Sequence, residues 1–254
     1  MIPHSIVVAY APREHTRARV RATLARVHRR GAFARTERDF ANAFRTQFVD
    51  TALVEVTADD DGHGPAELAR EYPSIPFLAL TPFRPVDAPA IARCAELDFA
   101  DVLADGTDDG VLGHALVAHG FSARFAAALH TPPEPLSLTS PLQLAAWRAI
   151  VARAGQPTGS FEIANALGIT REHLSRSFSA GGAPMLKRVM EFVRLLAAAE
   201  LAKNPGYDLS AVARLTGFAS VARLSGSVNR LVRTQAGALT ALRSTDLLER
   251  FLRG

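Results

Sequence analysis

Residues 161–178 read FEIANALGITREHLSRSF, and the way this stretch has to fold decides how the rest of the chain is read. Ile163, Ala164 and Leu167 recur at the three- and four-residue spacing of a single helical face. Gly168 interrupts that spacing, Ile169 is an apolar plug at the corner, and Thr170 is a residue type that caps a new helix carrying Leu174 and Phe178 inward. Two short helices joined by a tight glycine turn, the second with a polar outer face, make a helix-turn-helix. Arg171, Glu172, Ser175 and Arg176 form that outer face.

The pattern returns some fifty residues on, as LSAVARLTGFASVARLSGSVNRLV from Leu209. Ala164, Gly168, Leu174 and Phe178 are echoed by Ala213, Gly217, Leu224 and Val228, with one residue added in the turn. A lone Ala-x-x-x-Gly is common in helical hairpins. Two in register, joined by one long helical pattern, are not.

Composition agrees with this. The chain has 254 residues, 48% of them apolar, enough for one large domain or two modest ones with cores of their own. Its net charge of +4 is unevenly spread. Residues 1–140 hold 14 Lys/Arg against 18 Asp/Glu, a net −4, whereas residues 141–254 hold 15 against 7, a net +8. A basic half bearing two helix-turn-helix patterns has the electrostatic footprint of a nucleic-acid binder. No run of eighteen apolar residues is present, so no transmembrane helix is expected. The N-terminus lacks a basic region before its short apolar run and does not read as a signal peptide. The single cysteine, Cys94, permits no internal disulfide and suits a reducing, cytoplasmic setting.

From Ser5 onward, apolar runs of strand length alternate with helical patterns. Strands are predicted at Ser5–Tyr10, Ala32–Arg35, Thr51–Thr57, Ile75–Thr81 and Phe99–Leu103. Helices are predicted at Arg13–His28, Glu37–Gln47, Pro65–Glu71, Ala88–Glu96 and, as one long last helix, Gly110–Leu129. Such alternation predicts an α/β, doubly wound, mostly parallel sheet. Over residues 4–129 the succession of strands, the fourth ending in Thr81, and the segment ELDFADVLAD resemble a response-regulator receiver domain. The residues that let a receiver bind magnesium and accept phosphate are replaced. Ala9, Tyr10, Ala11 and Pro12 stand where acidic residues follow the first strand, Glu55 aligns with the phosphoacceptor aspartate, and Ala104 or Asp105 takes the place of the lysine. The resemblance thus implies a degenerate, phosphorylation-independent receiver acting in homodimerisation, docking or ligand sensing; an unrelated flavodoxin-like domain is the alternative.

Nothing in the chain reads as catalytic, and no cofactor is expected. Asp59-Asp60-Asp61-Gly62-His63 reads as a solvated acidic turn, since no glutamate follows at calcium-loop spacing. The eight histidines show no metal-ligand pairing, and neither a nucleophile elbow nor a glycine-rich phosphate loop occurs. An enzyme of flavodoxin-like fold would use the carboxyl ends of the strands, where Ala11, Pro12, Glu55, Thr57, Thr81 and Pro82 form no acid–base set.

Domain boundaries follow from the proline-rich stretch Thr131–Ser140: a receiver-like domain over residues 1–130, a linker over 131–140 and a helical domain over 141–254. In the last, a lead helix begins at Pro141 with Leu142, Leu144, Ala145, Ile150 and Val151 as its apolar face and Trp147 nearby, and Gly155-Gln156-Pro157 is a stop. A helix from about Pro184 to Lys203 bridges the two helix-turn-helix units, and one from about Leu239 to Leu252 closes the core. That order, with IANALGITREHLSRSF, Arg194 followed by LLAAAE, and LSAVARLTGFAS, resembles the AraC/XylS-type DNA-binding domain over residues 141–243.

The resemblance implies a transcription regulator placing two recognition helices in successive major-groove segments of double-stranded DNA. By position, Glu172, Ser175 and Arg176 would face bases in the first unit, with Thr170 and Arg171 near phosphate. Arg176 can fork onto the O6 and N7 of guanine, and Glu172 can accept from a cytosine amino group. In the second unit Val221, Ala222, Ser225 and Gly226 would stand toward the bases, behind the helix start at Ser220. Gly226 offers no reading side chain there, so Arg223 and Arg230 are expected on phosphate and discrimination is expected mainly from the first unit. The closing Gly-x-x-Pro of that family reads Arg233-Thr234-Gln235-Ala236. The competing class is a protein-interaction adaptor that keeps the helix-turn-helix fold without operator recognition.

Overall fold

Apolar runs buried on both faces are what a parallel sheet covered by helices requires. A computed structural model of the chain, describing residues 5–57, 63–153 and 158–253, shows such a sheet. The chain forms two compact units that divide between Ala123 and Arg124.

In the first unit β1 (Ile6–Tyr10), α1 (Glu14–Arg26), β2 (Gly31–Ala34), α2 (Glu37–Thr46), β3 (Val49–Glu55), α3 (His63–Glu71), β4 (Phe77–Thr81), α4 (Ala88–Glu96), β5 (Asp101–Ala104) and α5 (Asp109–Ala118) alternate. The strands are all parallel in the order β2-β1-β3-β4-β5. Val7, Ala9, Leu53, Leu78 and Leu80 meet Val20 and Leu24 of α1 and Leu112 and Leu116 of α5. An aromatic cluster lies among β1, β4 and α2: Phe40 packs edge-on to Tyr10 and Phe44, and Phe44 stacks on Phe77 with centroids 5.7 Å apart.

The crevice at the carboxyl ends of β1 and β3, where the strand order switches and such sheets bind ligands, holds an internal ion network. Glu55 is 2% exposed and accepts from Thr16 Oγ1 at 2.6 Å, from the Arg13 backbone N–H at 3.2 Å and from Arg13 Nε. Arg13 Nη2 continues to Asp105 at 3.1 Å, and Arg19 joins Asp105 to Asp109 at 3.2 and 3.1 Å. The role of Arg13 has no periodic or motif signal in the sequence, because its partners lie 42 and 92 residues away.

The single helix expected over Gly110–Leu129 is two: α5 ends at Ala118, and α6 (Phe121–Ala128) starts after a break at His119-Gly120. The cause is Asp50, 1% exposed, whose Oδ1 accepts from the Ser122 N–H at 2.8 Å while its Oδ2 pairs with Arg29 at 3.2 Å. A Cβ on Gly120 would lie 2.6 Å from Asp50 Oδ2, so glycine is needed for this approach. The Asp59–Gly62 turn lies outside the described residues.

The second unit is helical: α7 (Pro141–Val151), α8 (Ser160–Ala166), α9 (Arg171–Phe178), α10 (Leu186–Ala202), α11 (Leu209–Leu215), α12 (Val221–Val232) and α13 (Ser244–Arg253). The stretch Thr131–Ser140 carries a short 3₁₀ turn at Glu134–Leu136, and Leu136 and Leu138 are buried. The stop at Gly155-Gln156-Pro157 falls outside the described residues. The inward face of α7 matches the one expected at Ile150, Val151 and the neighbouring Trp147, all buried, but its first turns differ: Gln143 and Ala146 are buried, while Leu142, Leu144 and Ala145 are half-buried. Gln143 goes inside because its amide is fully used. Its Oε1 accepts from the N–H groups of Thr139 (3.0 Å) and Ser140 (2.9 Å), and its Nε2 donates to the carbonyls of Phe178 (2.8 Å) and Ala180 (3.0 Å).

The closing helix expected from Leu239 is a 3₁₀ turn at Ala236–Thr240 followed by α13. Asp246 sets the new start by accepting from the Arg243 N–H at 3.0 Å. Phe251 of α13 stacks on Phe192 of α10 at 4.2 Å, and Arg188 lies over the same ring. Arg233 ends α12 in the left-handed region, φ 49° and ψ 47°, where a helix stop favours glycine. Arg233→Gly is therefore expected to stabilise the protein by about 1 kcal/mol, read as a rise in the midpoint of thermal unfolding; an unchanged or lowered midpoint would show that the arginine side chain offsets its backbone strain.

Candidate nucleic-acid interface

Both helix-turn-helix units are built by the same local physics. In the first, Ile163 and Ala164 of α8 are buried, and Gly168 turns the chain at φ +67°. The Ile169 N–H then returns to the Ala164 carbonyl at 3.1 Å. Thr170 caps α9, its hydroxyl accepting from the His173 N–H at 3.2 Å. In the second, Ala213 is buried and Gly217 turns the chain at φ +72°. There the Phe218 N–H returns to the Ala213 carbonyl at 2.8 Å, and Ser220 caps α12 by accepting from the Arg223 N–H at 3.2 Å. Leu174, Phe178, Leu224 and Val228 are all fully buried, so the repeat holds in register through both second helices. The extra residue of the second turn, Ala219, is exposed.

α10 bridges the two units. Its Arg194 stacks over the Phe218 ring at 4.1 Å, in the second turn. Its Glu191 accepts from Ser227 and Arg230 of α12. Arg230, expected on phosphate, is thus tied to α10 although it is 59% exposed. Burial raises the Glu191 pKa, but the hydrogen bonds from Arg230 and Ser227 outweigh it, leaving the carboxyl below the ordinary glutamate value. A depressed folded-state value means that the contribution to stability is present at neutral pH and is lost as the pH falls through that value. Glu191→Gln is expected to cost about 1 kcal/mol at neutral pH, a difference that shrinks as the pH falls below the ordinary glutamate value; denaturant unfolding over a series of acid pH values measures it, and a difference that does not shrink in acid contradicts the assignment.

The outer face of α9 carries Arg171, Glu172, Ser175 and Arg176, all exposed, with Thr170 exposed at its start. Arg171 and Glu172 pair with each other at 3.2 Å, and Glu172 is held below its ordinary pKa by its backbone hydrogen bond and then by Arg171. Arg176 forms no ion pair among the described residues and is the guanidinium on this face available to a ligand. On α12, Ala222 and Arg223 are exposed, Val221 and Ser225 are half-buried, and Gly226 lies open, with nothing within 4 Å of where a Cβ would be. That helix presents Arg223 and Arg230 as its charges and no long polar side chain between them.

Among the described residues no group of three or more His, Cys, Asp or Glu is arranged to hold a metal ion, and no helix is long and apolar enough to cross a membrane. Cys94 is buried, and burial pushes its thiol up to about 11.

No protein-family model matches the chain, and no curated protein matches it. Solved structures to which it is similar include full-length FixJ from B. japonicum, at 16% identity and a TM-score of 0.40, covering 84% of this chain and 96% of that one. Another is RcsB from Salmonella enterica serovar Typhimurium bound to promoter rprA, at 14% identity and a TM-score of 0.36, covering 75% of this chain and 99% of that one. A response regulator protein from Burkholderia pseudomallei matches at 15% identity and a TM-score of 0.37, covering 70% and 98%. At these low scores the functional reading rests on the chain's own residues.

Proposed function

We propose that the chain is a DNA-binding transcription regulator of the AraC/XylS kind. The carrying observation is the pair of in-register helix-turn-helix units, each turning on a left-handed glycine whose following N–H returns to a buried alanine carbonyl, bridged by α10 in a half of net charge +8. In this reading Arg176, Glu172 and Ser175 face base edges, while Arg171, Arg223 and the N–H groups behind Thr170 and Ser220 meet phosphates, which position without specifying. Arg230, engaged by Glu191, is a strut first and a phosphate contact second.

The α/β unit, taken as residues 1–130 with 131–140 as linker, is proposed to act without phosphorylation, as a homodimerising or sensing module. The support is the crevice network: Arg13 supplies between Glu55 and Asp105 the positive charge that a bound cation would bring. The adaptor reading keeps one specific observation in its favour, the open Gly226 on α12.

Selection of full-length protein against a random duplex pool at several salt concentrations tests the proposal. One enriched motif bound well above bulk DNA supports it. Tight binding without enrichment and with a steep salt slope means that only phosphates are read. No binding at physiological salt puts the adaptor in its place.

A further inference from the structure

The α/β unit separates its charge along the sheet. Residues 1–50 hold 10 Lys/Arg against 4 Asp/Glu, a net +6, and residues 51–123 hold 3 against 13, a net −10. In the strand order β2-β1-β3-β4-β5 the first set includes the edge strand β2 and the second the edge strand β5. Residues 26–38, around β2, hold five arginines and one glutamate, whereas residues 96–123, around β5, hold six carboxylates and no Lys or Arg. Part of this charge is neutralised within the unit, Arg26 on Asp109 and Arg29 on Asp50. The rest faces outward. Arg30, just before β2, and Arg38, in the first turn of α2, are exposed and form no ion pair among the described residues. On the other edge Asp98 is likewise exposed and without an ion pair there, and Asp101 pairs with His119 at 3.5 Å. Among the described residues β2 pairs with β1 alone and β5 with β4 alone. Both strands are four residues long, and Ala32, Phe33 and Val102 on them are half-buried.

An open edge strand offers unpaired N–H and C=O groups to another strand, and like charges set against each other block such pairing. Two β2 edges would bring arginines together, and two β5 edges would bring aspartates together, so a two-fold contact through either edge is opposed. β2 against β5 is favoured. The signs complement, the strand lengths match, and a second copy continues the all-parallel ladder in the same direction. The two edges lie about 19 Å apart, four strand spacings. That exceeds the Debye length of about 8 Å at physiological salt, so neither edge cancels the other through solvent. We propose that the β2 edge of one copy docks on the β5 edge of a second, head to tail, an inference that rests on reading the α/β unit as the self-associating module. Each dimer then keeps one open edge of each sign, and the contact repeats until a ring closes or a row ends.

Sedimentation velocity of full-length protein without DNA, over a concentration series at about 0.05, 0.15 and 0.5 M salt, tests this. Association is expected to pass beyond the dimer and to weaken by about tenfold or more from the lowest salt to the highest. Two variants each spoil one edge: Arg30→Glu with Arg38→Glu, and Asp98→Asn with Asp101→Lys, asparagine suiting the left-handed φ of 54° at residue 98. Each alone is expected to be monomeric with an unfolding midpoint close to the wild type. Mixed, the intact β5 edge of the first and the intact β2 edge of the second are expected to give a one-to-one heterodimer and nothing larger. Amide exchange needs no variant and decides if either fails to fold: concentrating the wild type is expected to slow exchange in both β2 and β5. A wild type monomeric up to about 100 µM overturns the proposal and the self-association reading together. Association that ignores salt, slows exchange at one edge only, or yields no heterodimer from two folded variants overturns the proposal and leaves that reading standing. A basic-edge variant that associates normally but loses affinity for bulk duplex overturns it too, since the arginines would then serve DNA phosphates.

Discussion

Gln143→Leu is expected to destabilise the helical unit by about 3 kcal/mol, lowering its thermal midpoint by on the order of 10 °C. Leucine preserves most of the side-chain volume, so the loss isolates the amide. The Phe178 carbonyl loses the amide donor and so does that of Ala180, which keeps the Ala183 N–H at 3.4 Å, while the N–H groups of Ser140 and of the exposed Thr139 at the start of α7 lose their acceptor. Gln143 is 3% exposed, so water has poor access to the site. Orphaned buried groups cost about 1–3 kcal/mol each, more than the hydrogen bonds contribute when made. Because these bonds fix the C-terminus of α9 against α7, the variant is also expected to weaken DNA binding without touching an outer-face residue. Trp147, one turn further along α7, reports the unfolding. A loss below about 1 kcal/mol would mean that water replaces the amide.

Arg176→Ala is expected to lower affinity for a selected DNA sequence by roughly 1–3 kcal/mol, about tenfold to hundredfold, with little change for non-specific duplex. Arg176 is exposed on the outer face of α9, free of ion pairs among the described residues, and can present its fork to one guanine. Discrimination should relax at one base position. Arg223→Ala is the counterpart: exposed at the start of α12, it should lower affinity for all sequences alike and reduce the salt slope by about one. If Arg176→Ala instead behaves as expected for Arg223→Ala, Arg176 touches phosphate, and the base-reading assignment of α9 fails.

Much of the fold is legible in the sequence because its signals are local. Gly168 and Gly217 were readable as turns from the residue type alone, and both take left-handed φ. The same holds for Thr170 as a cap and for Leu174, Phe178, Leu224 and Val228 as inward residues, since each follows from helical spacing and short-range hydrogen bonding. The inner strands β1, β3 and β4 stand out as apolar runs because the middle of a parallel sheet is buried on both faces, whereas the edge strands β2 and β5 are only partly buried.

The sequence by itself determined the alternation that makes the α/β unit, the repeat that makes two helix-turn-helix units, and the polar outer face of α9. What only the tertiary structure decided are matters of distant polar groups. Asp50 splits a continuous helical pattern into α5 and α6 by reaching Ser122, 72 residues on. Gln143 turns inward at the start of α7 by finding carbonyls 35 and 37 residues away. Arg13 closes the crevice by bridging Glu55 and Asp105, and Glu191 draws Arg230 toward α10. Periodicity records which side of a helix avoids water. A buried amide or carboxylate instead goes where its hydrogen bonds can be met, and those partners are fixed only once the chain has folded.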